Sequence, residues 1–175
     1  ALLRGYPLQA FAEERGPVWA LWVTSGLFAM LHLGNPGLDV LGLGNLVVAG
    51  LFLGVVYLKT ASLWWATGAH LGWNWSVGFL GDLPVSGLEL VDAPLLEPRI
   101  QGPEWITGGV FGPEASIVAT GVLALAAFLL WRSRALGPSD AARDARPLVL
   151  PASESTSGPG RGGGTFNTDD SGRNS

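Results

Sequence analysis

The stretch Ser62-Leu-Trp-Trp-Ala-Thr-Gly-Ala-His-Leu-Gly-Trp-Asn-Trp-Ser-Val-Gly-Phe-Leu-Gly81 contains one ionisable side chain, His70, and no Asp, Glu, Lys or Arg. A helix of this length rises about 30 Å, the thickness of a bilayer's hydrocarbon core. It opens on Trp64-Trp65, an aromatic pair of the kind that sits at the membrane–water interface. A histidine at membrane depth is costly and marks a functional site by default. Asn74 follows His70 by four residues and Thr67 precedes it by three, so the helix carries a polar stripe along one face.

Working outward, the pattern recurs. Residues 17–33 form an apolar span containing Phe28-Ala-Met-Leu-His32, which again sets a companion four residues from a histidine. The breaker cluster Gly34-Asn35-Pro36-Gly37 ends it. Residues 38–58 form a further span closed by Lys59, and residues 115–131 a short uncharged one. Residues 1–12 read as the end of a helix whose start is missing, followed by the charged turn Glu13-Glu14-Arg15. The chain therefore reads as a fragment or processed piece of a longer protein. Gly50 with Gly54, and Gly68 with Gly72, are GxxxG pairs that predict close backbone approach. Residues 82–113 hold five prolines and scattered acids, which predicts a long extramembrane loop with a short amphipathic turn. The expected fold is all-α: a multi-helix transmembrane bundle over residues 1–136, with about four complete spans plus the end of a preceding helix. Residues 137–175, rich in Ser, Gly, Pro and Asp, lack the apolar surface to fold and predict a disordered C-terminal tail.

Composition agrees. Of 175 residues 14% are charged, against roughly 25% in soluble domains. The absence of cysteine excludes a disulfide framework, a thiolate metal site and a cysteine nucleophile. A net charge of -4 without a basic, aromatic-interleaved patch gives no nucleic-acid signal. Arg15, Lys59, Arg132, Arg134, Arg143 and Arg146 fall on one side of the spans. Arg99 falls on the other, beside Asp82, Glu89, Asp92, Glu97 and Glu104. The positive-inside rule then predicts a multi-pass integral membrane protein with a cytoplasmic tail, the 82–113 loop outside, and membrane lipid as a partner.

Imidazole is the side chain most used for metal ligation and for proton transfer near neutral pH. A carboxamide such as Asn74 can donate to a developing oxyanion where water is scarce. Facing helices that offer His32, and His70 with Asn74, can thus build a hydrolytic centre. The bland alternative is that each histidine only hydrogen-bonds across helices, for ~0.6–2 kcal/mol. A bis-histidine haem site is another alternative, but it leaves Asn74, Phe28 and Arg4 without a role. Asn45 reads as an interhelical hydrogen bonder, Asn35 as a turn residue, and Phe28 alone as core.

The order Leu2-Leu-Arg-Gly-Tyr-Pro-Leu-Gln9, then Phe28-x-x-x-His32, then His70-x-x-x-Asn74 resembles the CPBP family of intramembrane proteases, which includes the CAAX prenyl endopeptidases and the bacterial Abi proteins. The resemblance covers about residues 1–83. Arg4 matches the arginine of that family's Glu-Glu-x-x-x-Arg motif, and its glutamate pair would stand immediately before Ala1. Glu13 and Glu14 have the wrong spacing and read as a solvated juxtamembrane cluster. The resemblance implies an intramembrane endopeptidase acting on a prenylated peptide or another membrane-associated protein substrate. A motif-one glutamate with His32 would activate water, and His70 with Asn74 would stabilise the oxyanion, while Arg4 and Phe28 support the site. A zinc ion held by His32 and His70 is one version; a metal-free glutamate mechanism uses the same residues. The resemblance further implies two glutamates before Ala1 in the parent protein, and inactivity of a chain that starts at Ala1. A non-catalytic membrane immunity or scaffold protein of the same fold is the alternative. Counting from the Arg15 end, His32 lies roughly 22 Å deep; from the Lys59 end, His70 lies roughly 16 Å deep. The site is thus expected toward the loop side, whereas family members that cut prenylated proteins need access from the cytosol.

Overall fold

A computed structural model describes residues 2–90, 95–96 and 98–140. Breakers in the sequence set its helix ends. Gly16, at φ 88, separates α1 (Tyr6–Arg15) from α2 (Pro17–Met30). Pro17 opens α2, where a missing N–H costs nothing. Asp39 caps α3 (Val40–Thr60), its Oδ1 accepting from the Gly42 N–H at 2.6 Å. α4 (Leu63–Trp75) runs on into a π-helical turn, Ser76–Leu80, so the apolar stretch is helical nearly throughout. A short α5 (Glu104–Thr107) and two 3-10 turns lead to α6 (Ile117–Arg132), capped by the Ser116 hydroxyl. Among the described residues there is no strand, only an isolated bridge between Val85 and Leu88 that closes a tight turn. The expected all-helical bundle is what forms.

α3 is the hub: α2, α4 and α6 each pack against it, and α1 packs on α2. Gly50 and Gly54 explain how α2 comes so close. A Cβ at Gly50 would lie 2.8 Å from the Ser25 Cβ, and one at Gly54 would lie 2.2 Å from the Leu21 Cδ2. At Gly68 and Gly72 a Cβ would meet nothing within 4 Å. The first GxxxG pair therefore makes the expected close contact and the second does not. Arg4, 3% exposed, locks the same junction. Its guanidinium donates to the Thr24 and Ser25 hydroxyls on α2 and to the Gly50 carbonyl on α3.

α3 is the one helix among the described residues long and apolar enough to cross a membrane by itself; α2 and α6 are shorter apolar helices. The expected span 17–33 stops at Met30 because Leu31–Gly34 form a turn. The expected span 115–131 starts at Ile117, after the Pro113–Ala115 turn. The outward faces are nonetheless apolar, with Trp22, Leu71, Leu125, Phe128 and Leu129 all exposed. At one end Arg15 lies 5.4 Å from the Trp19 ring, and Lys59 lies 6.0 Å from the Trp131 ring while donating to the Ser133 carbonyl at 3.1 Å. Exposed Trp64 and Trp65 sit beside that end, completing a belt of aromatic and basic groups. Asp92, Glu97, Arg143, Arg146 and most of the expected tail lie outside the described residues.

Gly50→Ala and Gly54→Ala should each destabilise the bundle by about 1–3 kcal/mol through overpacking. Gly68→Ala and Gly72→Ala should be neutral or stabilise by up to about 1 kcal/mol through helix propensity. Unfolding in detergent micelles separates the two pairs, and equal effects would contradict the packing described.

Candidate active site

His32 stands just past α2, in the turn that the breaker cluster forces. Its N–H donates to the Ala29 carbonyl at 3.0 Å, and its Nδ1 lies 2.8 Å from the Phe28 carbonyl oxygen. A carbonyl only accepts, so Nδ1 carries the proton and Nε2 is left as the basic nitrogen. The His32 ring also packs on the Phe28 ring, with centroids 4.7 Å apart.

His70 comes from α4 and meets the same phenyl ring. Its centroid is 5.5 Å from that of Phe28, edge to face at 71°. Phe28 thus holds both imidazoles, and their separation is limited to the combined reach of two ring contacts. Phe28 and His70 line a cavity of about 340 Å³. Leu46, Phe52 and Leu53 of α3 and Val122, Leu123 and Ala126 of α6 form its apolar wall. Asn45, Trp73, Ser76, Ser86 and Glu114 supply polar lining. Asn74, one turn beyond His70, has its Oδ1 buried without a hydrogen-bond partner. The π-helical turn follows directly, with the Ser76 hydroxyl donating to the Gly72 carbonyl at 2.7 Å. Such irregularities recur at functional sites.

Glu114 belongs to none of the sequence motifs and falls at the join between the 82–113 loop and the last apolar span. Its Oε1 accepts from the Trp73 indole N–H at 2.7 Å and its Oε2 from the Ser86 hydroxyl. Its backbone carbonyl accepts from the Asn45 amide at 2.7 Å. Asn45 also donates to the Ser116 carbonyl at 2.8 Å and accepts from the Thr120 hydroxyl at 2.6 Å, so it bonds between helices as expected. The 82–113 segment is more than a loop. Its Val85–Leu88 turn docks on the His32 side of the bundle: the Asn35 amide donates to the Ser86 carbonyl at 2.8 Å, and the Gly87 N–H donates to the carbonyl of the fully buried Phe111 at 2.8 Å. Gly87, at φ 80, fits there because a Cβ would stand 2.1 Å from the Pro36 carbonyl oxygen. The available cue was the Ser86-Gly87 pair, a tight-turn signature inside a proline-rich stretch.

Among the described residues no group of three or more His, Cys, Asp or Glu side chains comes together in a way that could hold a metal ion. His32 and His70 supply two imidazoles and the described residues add no third ligand beside them, so they do not by themselves make a zinc site of the three-ligand type.

The sequence model of the family described as Rce1-like, type II CAAX prenyl endopeptidase Rce1-like, matches residues 1–76. Over these residues the chain is similar to the Rce1-like family. That is a family of membrane-embedded proteases. The match spans Arg4, Phe28, His32, His70 and Asn74, and Glu114 falls outside it. No curated protein and no solved structure matches the chain.

Asn45→Leu should cost about 3 kcal/mol by removing three hydrogen bonds and orphaning the Glu114 carbonyl, while Ser116 and Thr120 keep each other as partners, against about 1 kcal/mol for Thr120→Val. Unfolding in detergent measures both. A neutral Asn45→Leu would contradict the hydrogen bonds assigned to it.

Proposed function

We propose that this chain carries the catalytic core of an intramembrane endopeptidase that hydrolyses a peptide bond in a prenylated or otherwise membrane-anchored substrate. The observation that carries the reading is the pair of imidazoles, one from the turn after α2 and one from α4, packed on Phe28, which with His70 lines a largely apolar cavity. A cavity with polar groups at one end and aliphatic walls suits an amide attached to an apolar chain.

In the proposed reaction, a glutamate preceding Ala1 and the Nε2 of His32 take a proton from water. The water oxygen attacks the scissile carbonyl carbon. His70 and the Asn74 amide donate to the oxyanion of the tetrahedral intermediate. Collapse breaks the C–N bond, and the proton passes to the leaving amine. Arg4 favours an acidic neighbour: its Nε is buried without a partner, and its hydrogen bonds all go to neutral groups. Zinc participation is a variant in which that glutamate would complete a three-ligand set with His32 and His70. The protein is proposed to pass the membrane several times, with the basic, Trp-rich end and the tail in the cytoplasm.

The test compares this chain with one carrying two glutamates directly before Ala1, in proteoliposomes, with a farnesylated peptide and a plain membrane peptide as substrates. Only the extended chain should cleave, and the chain starting at Ala1 should be slower by at least ~10²-fold. His32→Ala should abolish the activity and Asn74→Ala should lower kcat by about 10²–10³-fold. Equal cleavage by both chains, or cleavage indifferent to His32→Ala, would contradict the mechanism and favour a non-catalytic scaffold.

Orientation has its own test, made simple by the absence of cysteine. In intact cells, a membrane-impermeant maleimide should label Gln101→Cys but reach Ala135→Cys only after permeabilisation. The reverse pattern would invert the proposed topology.

A further inference from the structure

The two helices that bring the histidines together rest chiefly on α3 rather than on each other. Phe28 and His70 make the ring contact between them. A second connection runs around the outside of the site. Asn35, three residues after His32, donates to the Ser86 carbonyl at 2.8 Å. The Ser86 hydroxyl donates to one oxygen of Glu114, and the indole of Trp73 donates to the other at 2.7 Å. Trp73 lies three residues beyond His70, close to one helical turn. The Glu114 backbone is itself anchored on α3, through its carbonyl and Asn45.

We infer that Glu114 is a positioning residue: its carboxylate straps the His70 helix to the turn that follows His32, and so sets the separation of the two imidazoles. This rests on the proposed catalytic role of those histidines. Both carboxylate oxygens are occupied by donors from opposite sides of the site, and hydrogen bonds to an ionised acceptor are about twice as strong as neutral ones. Without the strap, α4 is free to shift on α3, and a misplacement of about 1 Å at a reacting group can cost ~10²-fold in rate. Glutamine at this position keeps the strap. Its amide oxygen accepts from Trp73, and its amide N–H donates to a Ser86 hydroxyl rotated to accept. Alanine removes both bonds.

The experiment uses the chain extended through the two glutamates, in proteoliposomes, with the farnesylated peptide. Glu114→Ala should lower kcat by about 10- to 100-fold with KM within threefold of wild type. Glu114→Gln should stay within about fivefold of wild-type kcat, because the strap rather than the charge is what matters. Hydrogen–deuterium exchange gives a readout independent of cleavage: Glu114→Ala should exchange faster at residues 33–36 and 85–88, and Glu114→Gln should not. Equal kcat losses in the two variants would mean that the carboxylate acts through its charge, and would overturn the inference. So would unchanged exchange in Glu114→Ala, or a fall in its folded fraction with kcat per folded molecule intact. If the unsubstituted extended chain cleaves nothing, the proposed function fails, and the exchange comparison alone still decides whether Glu114 straps the two segments.

Discussion

The approach of α2 to α3 at Gly50 and Gly54 is the contact on which the rest depends. In a lipid environment apolar burial gives helices little reason to associate, and close packing and hydrogen bonds have to do it. Glycine at these two positions lets Leu21 and Ser25 lie against the α3 backbone. That proximity is what allows Arg4 to reach Thr24, Ser25 and the Gly50 carbonyl at once. With α2 fixed on α3, Phe28 is placed at the cavity, and α4 needs only to pack on the same hub for His70 to meet it.

Polar groups in the bundle follow one logic. Each is costly to bury unless it is bonded, so the bonded ones show what joins the helices. Asn45 is fully used in joining α3 to α6 and to the Glu114 backbone. His32 uses one nitrogen on its own helix end and keeps the other. Asn74 Oδ1 and Arg4 Nε are the buried side-chain polar atoms without partners among the described residues, and both residues fall within the stretch that the family model matches.

Much of this was legible in the sequence because charge is so scarce. Uncharged runs announced the helices, and a polar residue inside such a run, as with Asn45, announced its own bonding. Helix ends were less legible. Leu31 and Leu33 continue the hydropathy of α2 past Met30, yet the chain turns there, placing His32 off the helix proper. The two GxxxG pairs look alike in sequence, and only the neighbour each faces separates Gly50 and Gly54 from Gly68 and Gly72. Glu114 could not be read because its role depends on a proline-rich segment folding back over the site, a long-range event with no local periodicity.

The central claim is that His32 and His70 act together on one carbonyl beside Phe28. The most direct measurement is an experimental structure of the chain extended through the two glutamates, in a lipid nanodisc, with a peptide aldehyde bound. The account predicts the aldehyde hydrate, formed by addition of one water to the carbonyl, in the cavity lined by Phe28 and His70, with one oxygen about 3 Å from a donor of His70 or Asn74 and the other facing His32. A hydrate outside that cavity, or one touched by neither histidine, would contradict it.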